Sequence, residues 1–219
     1  TNTILIMELE NIIYPGFNKT LSELNALSKV KKKSCEIVDL TEIEWVRDVL
    51  RHRVEEIGSY DIKFRKPTKE EIQTVSKIVG ADIDMDELKN NFHKNKRIIG
   101  ITSGKGGVGK STITSLLGIA FDELGKKVGI MDSDIWGYSV PKILGAKFPP
   151  IPFNERIFPS RINNLNVISM DYFVKQDEAV IWRGPMLHKA IEQFLFEVLW
   201  HDIDILLIDM PPGTGDVSI

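Results

Sequence analysis

Eight residues narrow the folds open to this chain more than any others: Gly104-Lys105-Gly106-Gly107-Val108-Gly109-Lys110-Ser111, with Thr112 directly behind them. They fit the pattern glycine, four residues, then Gly-Lys-Ser. A short apolar run, Ile98-Ile99-Gly100-Ile101-Thr102, precedes them, and a stretch of helical periodicity over roughly 110–124, ended by Gly125, follows. Glycines at this spacing let backbone N–H groups converge on phosphate oxygens, and the N-terminus of the following helix adds positive potential. The expectation is a phosphate-binding loop in which Gly104, Gly106, Gly107, Val108, Gly109, Lys110, Ser111 and Thr112 surround the phosphates of ATP. Lys110 is expected to neutralise the β and γ phosphates, and the Ser111 hydroxyl to ligate Mg²⁺.

Downstream, apolar runs alternate with helical periodicity. Val128–Met131 reads as a second strand, 166–170 as a third and Ile205–Ile208 as a last one. Residues 185–199 read as an amphipathic helix with Met186, Leu187, Ala190, Ile191, Phe194, Leu195 and Val198 inward. Such alternation predicts an α/β fold with a doubly wound, mostly parallel sheet. Ligands bind such sheets at the carboxyl ends of the strands, and acidic residues stand at two of those ends. Asp132, closing the second strand, is expected to hold a metal-bound water. Asp134 is expected to orient the attacking water or take its proton. The last strand runs into Asp209-Met210-Pro211-Pro212-Gly213-Thr214-Gly215-Asp216, which places Asp209 in the outer Mg²⁺ shell and lets Gly213 present its N–H to the γ-phosphate. For Asp216 a capping or salt-bridge role stands beside a catalytic one. Residues 146–160, with Pro149, Pro150, Pro152 and Pro159, are expected to form a long irregular loop.

Residues 1–66 read as a small α+β unit. An apolar opening helix ends near Pro15-Gly16, and Cys35–Leu40 forms a strand. Thr41 and Glu44 make a capping box ahead of a helix with Trp45, Val46, Val49, Leu50, Val54 and Ile57 at helical spacing, stopped by Gly58. Tyr60–Arg65 alternates as a strand. Residues 67–96 read as a connector holding a second capping box, Thr68 with Glu71, and then a polar stretch through Asp82, Asp84 and Asp86. That stretch lacks the glycine and closing glutamate of a calcium loop, which leaves a solvated linker. Residues 97–219 form the third region, the first part of the nucleotide-binding domain.

A net charge of −3 gives no global reason to expect nucleic acid. No stretch approaches the ~20 apolar residues of a membrane span. The opening run carries Glu8 and Glu10 and no basic leader, so it is not read as a signal peptide. His52, His93, His188 and His201 lack metal-ligand spacing. The single cysteine, Cys35, excludes an internal disulfide and is compatible with a cytoplasmic location.

Lys105, a second lysine early in the loop, resembles the deviant Walker A class of MinD, ParA and the nitrogenase iron protein. In that class this lysine reaches across a dimer to the other subunit's nucleotide, which implies a homodimer and a catalytic part for Lys105. The loop, together with Asp132-Ser-Asp-Ile-Trp-Gly-Tyr-Ser-Val-Pro141, Trp182-Arg-Gly-Pro-Met186 and Ile208-Asp-Met-Pro-Pro-Gly-Thr-Gly-Asp216, is similar to the Mrp/ApbC family. Tyr138 stands where that family usually has proline, and Trp136 where it often has tyrosine. The resemblance implies slow, Mg-dependent ATP hydrolysis coupled to carrying an iron–sulfur cluster to apo iron–sulfur proteins.

Residues 1–66 resemble, more weakly, a small domain related to iron–sulfur assembly factors, with Tyr14-Pro15 where the family has Asp-Pro. The family's cluster ligands are a Cys-x-x-Cys pair beyond the second switch, so no iron–sulfur ligand is expected in this chain, and Cys35 reads as an apolar filler. Folds of this type place the Asp209 strand beside the loop strand, with strands 128–131 and 166–170 beyond it. Strand 98–102 then becomes an open edge of buried-type sequence. On that ground the chain is expected to be the N-terminal portion of a longer protein. A nucleotide-gated partner-binding switch of the MinD/ParA type, without a cluster, is the competing reading; an inactive scaffold is a third.

Overall fold

The computed structural model describes residues 2–31, 33–92, 94, 96–134, 137, 139–172, 184–200 and 203–213. Two compact units divide the chain, residues 1–83 with 152–155, and residues 84–151 with 156–219.

The first unit runs α1 (Asn2–Glu10), β1 (Ile13–Tyr14), β2 (Lys19–Thr20), β3 (Leu27–Lys31), β4 (Ser34–Val38), α2 (Glu44–Ile57), β5 (Asp61–Arg65) and α3 (Lys69–Val79). β4 is central in a three-stranded sheet, antiparallel to β3 and parallel to β5. Helix α2 makes the parallel crossover and buries Val46, Leu50 and Val54, one stripe at four-residue spacing. Tyr14 is fully buried and holds the end of β4: its hydroxyl accepts from the Leu40 N–H at 2.9 Å and donates to the Val38 carbonyl at 3.4 Å.

The capping box at Thr41 and Glu44 does not form. The helix starts behind Ile43 with no side-chain cap. Thr41 accepts from the Ile43 N–H, and the Glu44 carboxylate instead pairs with Arg47 and Arg51, each at 2.9 Å. Two guanidiniums on the same helix face attract that carboxylate more strongly than a backbone amide does. The box at Thr68 and Glu71 does form, and the Arg65 guanidinium beside Glu71 holds its carboxyl down at about 2.

Along the chain follow α4 (Met85–Asn91), β6 (Arg97–Ile101), α5 (Lys110–Glu123), β7 (Val128–Asp132), α6 (Val140–Leu144), β8 (Ile151–Phe153), β9 (Arg156–Phe158), β10 (Ser160–Ile162), β11 (Leu165–Ser169), α7 (Gly184–Phe196) and β12 (Ile205–Asp209), which, apart from residues 152 and 153 of β8, make up the second unit. Its sheet has the order β10-β11-β7-β12-β6. The last four strands are parallel, and β10 joins antiparallel to β11. This is the expected α/β fold with a mostly parallel sheet. The Asp209 strand lies between β7 and the loop strand, and β6 forms one edge of the described sheet.

Alternate residues of each strand enter opposite cores, as the two-residue period of a strand requires. Met131, Ile168 and Leu206 pack with Phe194 and Val198 on the α7 side. Ile130, Val167 and Leu207 pack with Leu117 and Phe121 of α5 and Leu144 of α6 on the other. A sheet covered on both faces needs apolar residues at every strand position, which is why β7 is buried throughout.

Three stretches differ from the sequence reading. The expected irregular loop at 146–160 contains β8 and β9, paired as a hairpin, and the start of β10. Asn154 and Glu155, both in left-handed backbone, make the hairpin turn, while Ile151 and Phe153 point inward and Pro152 outward. The prolines suggested a loop, but a two-stranded ribbon tolerates a proline whose missing N–H faces solvent. Within the expected connector, α3 follows the Thr68–Glu71 cap as read, but the polar stretch after it, read as a solvated linker, holds α4; Asp84 caps α4 by accepting from the Asp86 and Glu87 N–H groups, which explains the acidic spacing there. Helix α7 ends at Phe196 rather than 199, because Val198 and Leu199 turn extended and bridge to Ile157 of β9.

Gly129 of β7 leaves no room for a side chain on the α7 side. A Cβ there would stand 2.9 Å from the Trp200 ring and 3.0 Å from Ile203. The Trp200 indole is pinned by its bond to the Phe194 carbonyl at 2.8 Å and cannot withdraw. Gly129→Ala is expected to lower stability by about 1–3 kcal/mol, the scale of an overpacked core. Gly118→Ala on α5, where a Cβ would meet only the flexible end of Ile130, should cost less. Urea midpoints of the two variants check this; a Gly129→Ala midpoint equal to that of the parent chain counts against it.

Candidate functional site

Strand register assembles the site. Asp209 pairs with Asp132 of β7 on one side and with Ile101 of β6 on the other, so both carboxylates and the start of the loop stand at one end of the sheet. The loop leaves β6 and turns through Gly107 and Gly109, both with left-handed backbone (φ 73° and 89°), before Lys110 opens α5. That conformation disfavours any residue with a Cβ. The first turn of α5 leaves its N–H groups without helical partners, directed at the space in front of the loop. An open cleft of about 550 Å³ lies there, lined by Ser103, Gly106, Gly107, Lys110, Asp134 and Pro212 among others.

The charged groups at the base of the cleft are buried and mutually paired. The Lys110 ammonium, 6% exposed, donates to Asp209 Oδ1 at 2.8 Å and lies 3.5 Å from Asp134 Oδ2. The Ser111 hydroxyl donates to Asp209 Oδ2 at 2.5 Å. Thr114 Oγ1 stands 3.1 Å from Asp209 Oδ1 and 3.0 Å from the Lys110 carbonyl. The Asp209 carbonyl accepts from both the N–H and the hydroxyl of Ser133.

Asp132 is fully buried, and both its oxygens accept from the protein. Oδ2 receives the N–H groups of Ser139 and Val140 and the Ser169 hydroxyl at 3.1–3.2 Å, and Oδ1 receives the Asp134 N–H at 3.3 Å. Burial, and then the charge of Asp209, push its carboxyl up to about 6.

Lys110, Ser111, Asp134 and Asp209 thus lie together at one end of the sheet, with Gly106, Gly107, Gly109 and Thr112 lining the cleft. Lys105, Gly104 and Val108 are exposed on the loop. Gly213 (φ 95°) donates its N–H to the Ser103 carbonyl at 2.9 Å, which tethers the segment after β12 to the loop. Sequence reasoning missed Thr114, Ser133, Ser139 and Ser169. Only Thr114 carried a signal: it follows Lys110 by four residues and so shares its helix face. Trp136, Tyr138, Trp182, Arg183, Thr214, Asp216, His93 and His201 lie outside the described residues. Cys35, in the first unit, is buried, and burial pushes its thiol up to about 11, as an apolar filler's would be. No described helix is long and apolar enough to cross a membrane.

Comparison with known proteins places this geometry. Residues 94–219 match the family model of the ParA: NUBPL iron-transfer P-loop NTPases. An iron-sulfur cluster carrier protein of Mycobacterium leprae is 47% identical over 123 residues, covering 56% of this chain and 32% of that one. One from Helicobacter pylori is 33% identical over 226 residues, covering all of this chain and 60% of the relative. A third, from Bacillus subtilis, is 46% identical over 147 residues, 67% of this chain and 42% of its own. The chain therefore spans between about a third and three-fifths of the length of these relatives. With a glycine loop, a buried lysine and a strand-end aspartate joined in one cleft, and with residues 94–219 matched by the family model, the chain belongs to the ParA/NUBPL family of iron-transfer P-loop NTPases.

Proposed function

We propose that the chain binds Mg·ATP in the cleft in front of Lys110 and hydrolyses it slowly, in the service of carrying an iron–sulfur cluster to apo iron–sulfur proteins. The observation that carries this reading is the joint pairing of Lys110 and Ser111 with Asp209 at the base of an open cleft. The printed names of the relatives, iron-sulfur cluster carrier proteins, supply the cargo. The cluster is freight here, and Cys35, a buried thiol, is not its ligand. The exposure of Lys105 fits a reach to a second copy of the chain, as a homodimer would need.

The residues suit Mg²⁺. Ser111 and Asp209 offer the hard oxygen donors this ion takes. Two carboxylates, Asp134 and Asp209, face the Lys110 ammonium, so a polyphosphate entering alone would add to an existing excess of negative charge. Bound Mg²⁺ would offset that charge on the phosphate oxygens. Ser111 would hold the ion directly and Asp209 through water. Asp132 keeps the amides at the start of α6, so we assign it a positioning part rather than the metal-bound water first expected of it. Lys110 and the loop amides hold the phosphates, and Asp134 orients the attacking water. Gly213 would exchange the Ser103 carbonyl for a γ-phosphate oxygen.

Lys110→Ala is expected to weaken Mg·ATP binding by at least about tenfold, the scale of a lost charge-assisted bond. Isothermal titration checks it, with circular dichroism confirming the fold; unchanged affinity would sink the site. Lys105→Ala should spare binding and depress turnover. Asp134→Asn should keep affinity within a few fold and lower turnover by roughly 10²-fold, the usual scale for a general base; undiminished phosphate release would place the base elsewhere.

Asp132 generates a pH dependence of stability. Its folded pKa, about 6, lies above its ordinary value of 3.8, so the folded state binds the extra proton between those limits. Stability contributed through this group is therefore greatest below about 3.8, falls as pH rises through about 6 and is flat above. The change is on the order of 3 kcal/mol. Glu71 acts oppositely and at lower pH, since its depressed carboxyl loses stability only as pH falls from 4.5 towards about 2. Urea midpoints at pH 4.5, 5.5 and 7 should converge between Asp132→Asn and the parent chain as pH drops; a pH-independent difference would rule this out.

A further inference from the structure

We propose that Thr114 is a positioning residue for Asp209: its hydroxyl takes over the carboxylate oxygen that Lys110 vacates when a polyphosphate binds. The inference rests on the Mg·nucleotide reading above and adds a residue to it.

Thr114 is completely buried on the sheet-facing side of α5, where Leu117 and Phe121 of the same helix pack as apolar residues. Its hydroxyl has one proton and two acceptors in reach, the Lys110 carbonyl at 3.0 Å and Asp209 Oδ1 at 3.1 Å. A helical threonine commonly donates to the carbonyl four residues back, and that bond alone would explain the first contact. It does not explain the second. Asp209 Oδ1 is shared between Thr114 and the Lys110 ammonium, which stands 2.8 Å away, while Oδ2 is held by Ser111.

In the resting arrangement the ammonium satisfies Oδ1, and the threonine proton is free to lie on the Lys110 carbonyl. A phosphate that draws the ammonium into the cleft strips Oδ1 of its donor. Asp209 has no exposed surface, so water reaches Oδ1 only through the space the ammonium leaves, whereas the Thr114 hydroxyl is already in place. A rotation of the Thr114 hydroxyl restores it with no movement of backbone. The replacement is also neutral. Lys110 offsets the charge of Asp209, whereas a hydroxyl orients the carboxylate and leaves its full negative charge facing the place where Ser111 and Asp209 would hold a divalent cation. Removal of the hydroxyl should therefore be felt in the metal-dependent part of nucleotide binding rather than in the resting fold.

The test is isothermal titration of ADP, in Mg²⁺ and in EDTA, into the parent chain and into Thr114→Val, Thr114→Ala and Thr114→Ser. Both hydroxyl-free variants should lose about 5- to 10-fold of the affinity that Mg²⁺ adds, the scale of one hydrogen bond to a charged group. Their affinity in EDTA and their nucleotide-free melting temperature should stay near those of the parent, and Thr114→Ser should restore the Mg²⁺ increment to within about twofold. A full Mg²⁺ increment in Thr114→Val or Thr114→Ala overturns the proposal. So does an equal loss in Mg²⁺ and EDTA, which marks a purely structural role, or a failure of serine to rescue. A parent chain that binds no ADP overturns the nucleotide reading together with this one, whereas normal parent binding with unaffected variants overturns this one alone.

Discussion

Asp209 carries a carboxylate with no exposed surface, and the second unit is organised around making that tolerable. An isolated buried carboxylate is expensive; it persists only with donors on its oxygens and a cation nearby. Here the donors come from Lys110 and Ser111, with the Thr114 hydroxyl 3.1 Å away in reserve, all within the first turns of α5. The helix must therefore begin at Lys110, and the loop before it must close within a few residues. The left-handed turns at Gly107 and Gly109 achieve that closure. The aspartate thus fixes the helix, and the helix fixes the shape of the cleft in front of it.

The position of Asp209 is in turn a matter of strand register. β12 lies between β6 and β7, so its final residue faces Ile101 and Asp132 at one height. A one-residue slip would move its apolar side chains to the opposite core and swing the carboxylate off the edge. The two cores resist this because each accepts alternate residues of β12: Ile205 and Leu207 on the α5 side, Leu206 and Ile208 on the α7 side. Close packing enforces it further at Gly129, where the Trp200 ring fills the space a side chain would need. Hydrophobic packing through the body of the sheet is thus what aligns charged groups at its end.

Much of this was legible in the sequence because it depends on local chemistry. Loop glycines, apolar strands closed by aspartates, and the Thr68–Glu71 cap each follow from neighbouring residues, and the strand order followed from the type of fold. What escaped depends on competition or on distant partners. Thr41 and Glu44 have the spacing of a cap, yet Arg47 and Arg51 win the carboxylate. Prolines masked the hairpin of β8 and β9, because nothing in the sequence says which strand edge faces solvent. Thr114 reads as an ordinary helix residue until the tertiary fold brings Asp209 to it, 95 positions along the chain. Asp132, expected from its place after a strand to hold a metal-bound water, also receives the N–H groups at the start of α6, partners that its neighbours in sequence do not announce.

The resting pairs also set a condition on the ligand. Lys110 is held by Asp209 at 2.8 Å with Asp134 at 3.5 Å, so a phosphate must compete with two carboxylates for one ammonium. A singly charged anion offers less than the lysine already has. A polyphosphate gathers the loop amides and the helix N-terminus as well as the ammonium, and a divalent cation compensates the aspartates that the lysine leaves. On the proposed reading, the same contacts that hold Lys110 to the two aspartates therefore disfavour free phosphate and favour a metal-loaded nucleotide. On that reading the exchange also changes the surroundings of Asp134: the ammonium that stands 3.5 Å from its Oδ2 moves towards the phosphate, and this carboxylate lines the same cleft.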